Sequence, residues 1–381
     1  MPVPLPTPEE VLLEPPSAEE TRTTARGIAT AVAAGGRLTD LQKALLEGVF
    51  ESMTGHRVDL TDLEPLDAAG LARHMARRNA MFRARCVQVM LLGALVLRPL
   101  PEDVVDRVTE VAWELGVDEH LIGVARRFAD GALGLAGVDF ERNGYTAEWH
   151  ADDASFLHTS AELRTAWESA VADAPLAARW RALESLPDGT LGRRITELYR
   201  ARGFAYPGLP GSAPPLLAQH DWVHVLADYG TTVEAELEVF AFIARANDDM
   251  RAFSLLAMVV SLFETGYLRT GAGLFEYDTG HLSADSGVVV RMADAMRRGA
   301  LCRDERRASD SVDFLAVDWF ALADLPIPEV RRLFGITPKA DTALAAGSVG
   351  PWERGGISPF QVRAGQAAAG DRYDAYGASV R

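Results

Sequence analysis

Residues 212–236 read SAPPLLAQHDWVHVLADYGTTVEAE (Ser212–Glu236). Ser212 is placed to cap a helix, and proline is tolerated in a first helical turn. His220 and His224 are four residues apart, which on a helix puts both on one face, about 6 Å apart along the axis. Two imidazoles at that spacing are a common way for one helix to supply two metal ligands. Asp221 lies about 100° round the helix from His220. It is placed to act as a further ligand or as an acceptor that orients an imidazole. Glu236 comes twelve residues after His224 and on one straight helix would lie about 18 Å further on. The intervening Asp228-Tyr229-Gly230-Thr231-Thr232-Val233-Glu234 predicts a break. Gly230 reads as the terminator, and Thr231 with Glu234 as a capping box that starts a second helix. The expected hairpin folds Glu236 back toward His224. Asp228 also falls on the His220–His224 face, so spacing alone leaves the last carboxylate open between Glu236 and Asp228.

Helical periodicity extends outward from this stretch. Leu41, Leu45, Leu46 and Val49 mark an amphipathic helix that Thr39 can cap. Met81–Leu97 reads as a buried helix ended by Pro99 and Pro101. Asp103–Leu115 carries Val105, Val108, Val111 and Ala112 on one face, with Gly116 as its stop. Asp118 opens a fourth helix through Phe128. Strand signals are sparse apart from Gly287-Val288-Val289-Val290. The expectation is an all-α protein in which an N-terminal helical bundle (36–140) precedes a linker (141–165) and a mostly helical metal-binding domain (166–340). The stretches 1–35 and 341–381 read as tails, the second flexible because it is rich in Gly, Ala and Ser. In the linker, His150 and His158 flank Asp152-Asp153, a cluster read as a solvated segment.

Composition limits the function classes. With 48% hydrophobic and 24% charged residues, the 381-residue chain is that of a globular protein with a substantial core. A net charge of -16 argues against nucleic acid as the main partner, because phosphate binding needs a basic footprint. The two cysteines, Cys86 and Cys302, are far apart and neither sits in a C-x-x-C, which argues against a disulfide framework or thiolate zinc site and fits a reducing compartment. The first residues have neither a basic nor an apolar signal region. The apolar runs 86–97 and 252–263 are short of the roughly 20 residues a spanning helix needs. The expected location is cytoplasmic, with peripheral membrane contact possible. Basic charge is carried almost wholly by Arg, Lys43 and Lys339 being the lysines, which suggests a GC-rich bacterial genome.

The motif His220-Asp221-x-x-His224, eleven residues, then Glu236 resembles the signature of the Coq-four family of coenzyme Q (ubiquinone) biosynthesis. Leu186-Pro187-Asp188-Gly189-Thr190-Leu191-Gly192-Arg193 looks like that family's Leu-Pro-x-Gly-Thr-Leu-Gly-Arg segment, and Tyr206-Pro207-Gly208-Leu209 like the lead-in to its metal helix. Asp318-Trp319-Phe320, Pro328-Glu329-Val330-Arg331 and Gly335-Ile336 resemble its closing part. The resemblance covers residues 166–340. It implies a helical fold, a divalent metal held by His220, Asp221, His224 and Glu236, and a hydrophobic groove for a polyprenyl tail. It also implies association with partner enzymes and the membrane surface. The activity it implies is removal of the ring carboxylate of a prenylated hydroxybenzoate, with hydroxylation at that carbon. Two imidazoles and two carboxylates suit zinc, iron or manganese, and the resemblance favours zinc. Arg193 or Arg194 is placed to orient the acid. Leu237–Ile243 and Phe253–Phe263 are candidates to line the groove. The alternative is a non-catalytic lipid-binding scaffold. Residues 36–140 resemble, more weakly, a tellurite-resistance TerB-type bundle, through Val104–Leu115 and Glu114-Leu115-Gly116-Val117. That likeness implies a stress-response module.

Overall fold

Local signals start and stop most of the helices. Thr39 accepts from the Gln42 amide at 3.1 Å while the Gln42 side chain accepts from the Thr39 amide at 2.9 Å, and this reciprocal cap opens Asp40–Thr54. At the end of Glu102–Glu114, Gly116 takes a left-handed φ of 61° and the Val117 amide reaches back to the Ala112 carbonyl at 2.9 Å, closing the helix as expected. The computed structural model describes residues 15–61, 63–97, 100–117, 172–210, 212, 215–247, 256, 259–260, 264, 280, 282 and 286–376. The predicted helix 118–128, the 141–165 linker with its His/Asp cluster, and most of 253–263 lie outside them.

The described residues form helices and no strand, only isolated bridges, so the all-α expectation holds for them. In chain order the α-helices are α1 (Ala18–Val32), α2 (Asp40–Thr54), α3 (Ala68–His74), α4 (Ala80–Ala94) and α5 (Glu102–Glu114). They continue with α6 (Ala174–Ala182), α7 (Leu191–Arg202), α8 (Pro215–Ala227), α9 (Val233–Ala246) and α10 (Ser286–Ala300). The last are α11 (Ile327–Leu333), α12 (Asp341–Ala345) and α13 (Pro359–Ala369). No helix among the described residues is long and apolar enough to cross a membrane.

Three sequence expectations are corrected. The Val288-Val289-Val290 run is part of α10, not a strand. Val288, Met292, Ala295 and Met296 follow helical spacing and are buried together, which outweighs the β preference of three adjacent valines. Within the presumed tail 1–35, α1 is capped by Ser17 and buries Ala25, Ile28 and Val32. Within the presumed flexible tail 341–381, α12 and α13 are ordered, and residues 348–361 hydrogen-bond to the body of the protein. Small residues there permit close backbone approach rather than flexibility: a Cβ on Gly365 would meet the Ala201 carbonyl at 2.3 Å.

One continuous apolar core joins the two halves of the chain. Leu45, Leu46 and Val49 of α2 share it with Val288 and Met292 of α10. At that contact a Cβ on Gly48 would come within 2.7 Å of the Ala293 Cβ. On its other side α10 packs on α9 so tightly that a Cβ on Gly299 would meet the Phe242 carbonyl at 2.2 Å. Segments far apart in sequence also meet near the start of α7. The Leu191 and Gly192 amides donate to the Leu325 and Ala323 carbonyls at 2.9 and 2.8 Å, and Ile327 donates to Gly189. The Leu186–Arg193 and 318–336 landmarks are therefore in direct contact.

Candidate metal centre

α8 carries the paired histidines, and its two faces do different work. Trp222, about 200° round from His220, is buried in an aromatic cluster with Trp180 (centroids 5.3 Å apart) and Trp319 (6.1 Å, stacked). Aromatic packing of this kind fixes the helix rotation. The opposite face then aims His220 and His224 at α9.

The hairpin forms, with its parts assigned differently from the sequence reading. α8 begins at Pro215, so Ser212 lies before the cap position. The left-handed residue ending α8 is Asp228 (φ 65°), and the Tyr229 amide closes the turn on the His224 carbonyl at 3.0 Å. Aspartate is among the few residues with a side chain that tolerates this conformation. Gly230 is required for close approach: a Cβ there would meet the Gly356 Cα at 2.7 Å. Thr232, not Thr231, caps α9, accepting from the Ala235 amide at 3.4 Å.

With the chain reversed, Glu236 in the first turn of α9 comes between the histidines. Its Oε2 is 3.4 Å from His220 Nε2 and 3.3 Å from His224 Nε2. Asp221 Oδ1 is 3.6 Å from His220 Nε2, and the Tyr199 hydroxyl donates to the other Asp221 oxygen at 2.5 Å. All four side chains are at most 1% exposed. Asp228, the competing carboxylate, instead faces Lys339 at 3.9 Å and lines a separate cleft of about 890 Å³.

The electrostatics of the cluster are compatible with a bound cation. His224 Nδ1 lies 2.7 Å from the Gly230 carbonyl, which can only accept, so Nδ1 carries the proton. In the neutral ring Nε2 is then a lone pair, aimed at a carboxylate oxygen. His224 Nε2 and both Glu236 oxygens are buried with no hydrogen-bond partner among the described residues. Burial pushes the Glu236 carboxyl up, but positive charge on His224 and His220 outweighs it and holds the group well below its usual range. A second proton on the imidazoles or a metal ion would provide that charge. Ligand atoms about 2.0–2.1 Å from a tetrahedral ion stand about 3.4 Å apart, close to the separations seen here. The His220, Asp221 and His224 ligand atoms all lie within 4.8 Å of one another, and this group can hold a metal ion.

Other sequence candidates are placed elsewhere. Arg194 pairs with Glu197 at 2.8 Å and stacks over Trp352. Arg193 pairs with Glu197 at 3.3 Å and Asp188 at 3.5 Å. Leu237, Val239, Phe242 and Ile243 of α9 are buried in the common core. Sequence reasoning missed Tyr199, the Gly230 carbonyl and Phe240, whose ring stacks on His220 with centroids 5.4 Å apart. None follows from local spacing. No protein-family model, curated protein or solved structure matches this chain.

Proposed function

We propose that this protein is metal-dependent and acts on a prenylated aromatic ring in quinone-type biosynthesis, with a divalent ion held by His220, Asp221, His224 and Glu236. The observation that carries the metal is the His224 tautomer: with Nδ1 committed to Gly230, its lone pair faces Glu236 at 3.3 Å in a buried site. The donor set suits zinc, iron or manganese, and the resemblance favours zinc. The aromatic, isoprenoid-bearing substrate class rests on the Coq-four resemblance of residues 166–340.

The residues divide the work. His220 and His224 present neutral nitrogen donors. Asp221 presents one oxygen while Tyr199 occupies the other, which favours single-oxygen ligation. Glu236 completes the set from the facing helix. When bound, the metal would supply Lewis-acid stabilisation of the charge left as a ring carboxylate departs as carbon dioxide. The buried, aromatic-walled surroundings exclude bulk water, which strengthens every charge interaction in the site.

Closure of the site favours a second reading. Catalytic metals keep an open position, whereas structural ones are fully enclosed by protein. All four side chains here are at most 1% exposed. On this reading the metal holds together a scaffold that binds isoprenoid or partner enzymes. Elemental analysis of the wild type and of the His220→Ala, His224→Ala double variant tests the site. Metal in the first and none in the second is expected, and equal metal in both would overturn the ligand set. Native mass spectrometry with lipid extraction tests the substrate class, for which a co-purified prenylated aromatic is expected. The optical spectrum of the cobalt-substituted protein separates catalysis from scaffolding. A solvent ligand that exchanges with added carboxylates supports catalysis, and an inert four-ligand spectrum supports the scaffold.

A further inference from the structure

The segment 348–361 lies beyond the part of the chain that resembles a known family, and the reading of 341–381 as a flexible tail gave it no role. It is built into the turn between α8 and α9. The Gly230 amide donates to the Val349 carbonyl and the Thr231 amide to the Gly356 carbonyl, each at 2.9 Å. Gln361 takes two further polar groups of Thr231: its amide donates to the Thr231 carbonyl at 2.9 Å and its oxygen accepts from the hydroxyl at 2.7 Å. Buried Arg202 bridges the two sides, donating to the Thr231 hydroxyl at 2.6 Å and to the Pro351 carbonyl at 3.0 Å. The fit is close, since a Cβ on Gly230 would meet the Gly356 Cα at 2.7 Å. A second attachment reaches α9, where the Ser348 hydroxyl donates to buried Glu238, two residues past Glu236.

The secured turn carries the carbonyl that orients His224 through Nδ1. The Gly230 carbonyl accepts from His224 Nδ1, and the amide of the same residue is tied to Val349. A five-residue turn hinged at a left-handed aspartate has little reason of its own to point that carbonyl inward, because peptide rotation there disrupts no regular helix. The contacts with 348–361 remove that freedom.

We infer that segment 348–361 is a positioning element of the metal centre: it clamps the 228–232 turn so that the Gly230 carbonyl holds His224 with its Nε2 lone pair toward Glu236. This rests on reading the centre as a metal site. Thr231, Arg202 and Gln361 act through Gly230 and His224 and are positioning residues, not ligands.

The test uses the full chain and two readouts. Zinc affinity is measured by chelator competition, and the His224 tautomer by nitrogen-15 NMR of histidine-labelled, metal-free protein. Thr231→Val keeps the shape and removes the hydroxyl. It should weaken zinc binding by about tenfold, the lower end of the effect of an outer-shell partner. It should also move His224 away from a single Nδ1-protonated form, while Thr231→Ser restores both readouts. Arg363→Ala, an exposed change on the same α13 helix as Gln361, should alter neither. Should Thr231→Val fail to fold, Gln361→Met carries the same two readouts. Wild-type affinity together with an unchanged tautomer in the folded variant overturns the inference. A wild type that takes up no zinc, iron or manganese would refute the metal reading. The tautomer then decides the clamp alone: its loss in the variant supports the clamp, and its retention overturns it.

Discussion

The helices α1–α5 and the α8–α9 hairpin both bury polar groups, and they do so in opposite ways. At two buried sites of the N-terminal region donors meet acceptors. The Gln42 side-chain amide donates to the Val32 and Gly93 carbonyls at 2.9 and 2.8 Å, tying α2 to the end of α1 and to α4. Arg78 grips both oxygens of Glu20 at 2.5 and 2.6 Å. These clusters are complete as protein. In the hairpin, His224 Nε2 and the Glu236 oxygens face one another as acceptors. A buried polar group without a partner costs as much as the hydrogen bond it lacks, so the first kind of cluster is complete in itself, and the second would be completed by a further proton on an imidazole or by a metal ion. The contrast separates a cluster that could hold a metal ion from clusters complete as protein, where burial alone would not.

The comparison can be broken most directly with metal. Zinc at a thousandfold excess over its Kd should stabilise the wild type by about 4 kcal/mol, read as a chelator-reversible rise in melting temperature. In Glu236→Gln most of that rise should disappear. In chelated protein the same substitution should leave the melt unchanged or higher, because it replaces a charge that faces lone pairs with a group that can donate. A chelated Glu236→Gln protein that melts well below the chelated wild type would show that the cluster is self-sufficient, like the N-terminal ones.

The N-terminal pair should behave in the reverse manner. Arg78→Met leaves the Glu20 carboxylate half-buried without its partner and should cost about 3 kcal/mol in urea unfolding, with metal content unchanged. Gln42→Leu conserves volume but strips two buried carbonyls of their donor. Its cost should be about 1–3 kcal/mol, again without loss of metal. A fall in metal content in either variant would mean that the two regions are coupled through the shared core. The smallest effect concerns pH. The hydrogen bonds from Arg78 hold the Glu20 carboxyl below its ordinary value of 4.5. A depressed folded value means that this stabilisation is fully present above the unfolded value and is lost as pH falls below it. Stability measured from about pH 6 to pH 3 should therefore fall less steeply in Glu20→Gln than in the wild type.

Residues that communicate through local spacing were legible without coordinates. The i, i+4 histidines, the Thr39 cap and the Gly116 stop follow from helix geometry, which repeats every few residues. The three valines of 288–290 carry a strand signal over four residues, while the helical pattern that includes Met292, Ala295 and Met296 needs a longer window. The 341–381 segment misled because glycine and alanine signal equally a loose chain and a chain that must approach another backbone closely. Gly230 shows the same ambiguity: it reads as a helix terminator, yet Asp228 ends the helix and Gly230 makes room for Gly356.

By itself the sequence determined that this is a helical protein with two histidines on one helical face beside carboxylates able to join them, because those features depend on helical rotation and side-chain chemistry alone. Only the tertiary structure decided that Glu236 faces the histidines while Asp228 turns toward Lys339, that Tyr199 and the Gly230 carbonyl orient the donors, and that residues 348–361 clasp the turn between them. Those outcomes depend on where chain segments up to about 130 residues apart come to rest (Thr231 and Gln361 are 130 apart). Packing of the whole core sets that placement, and no local pattern encodes it.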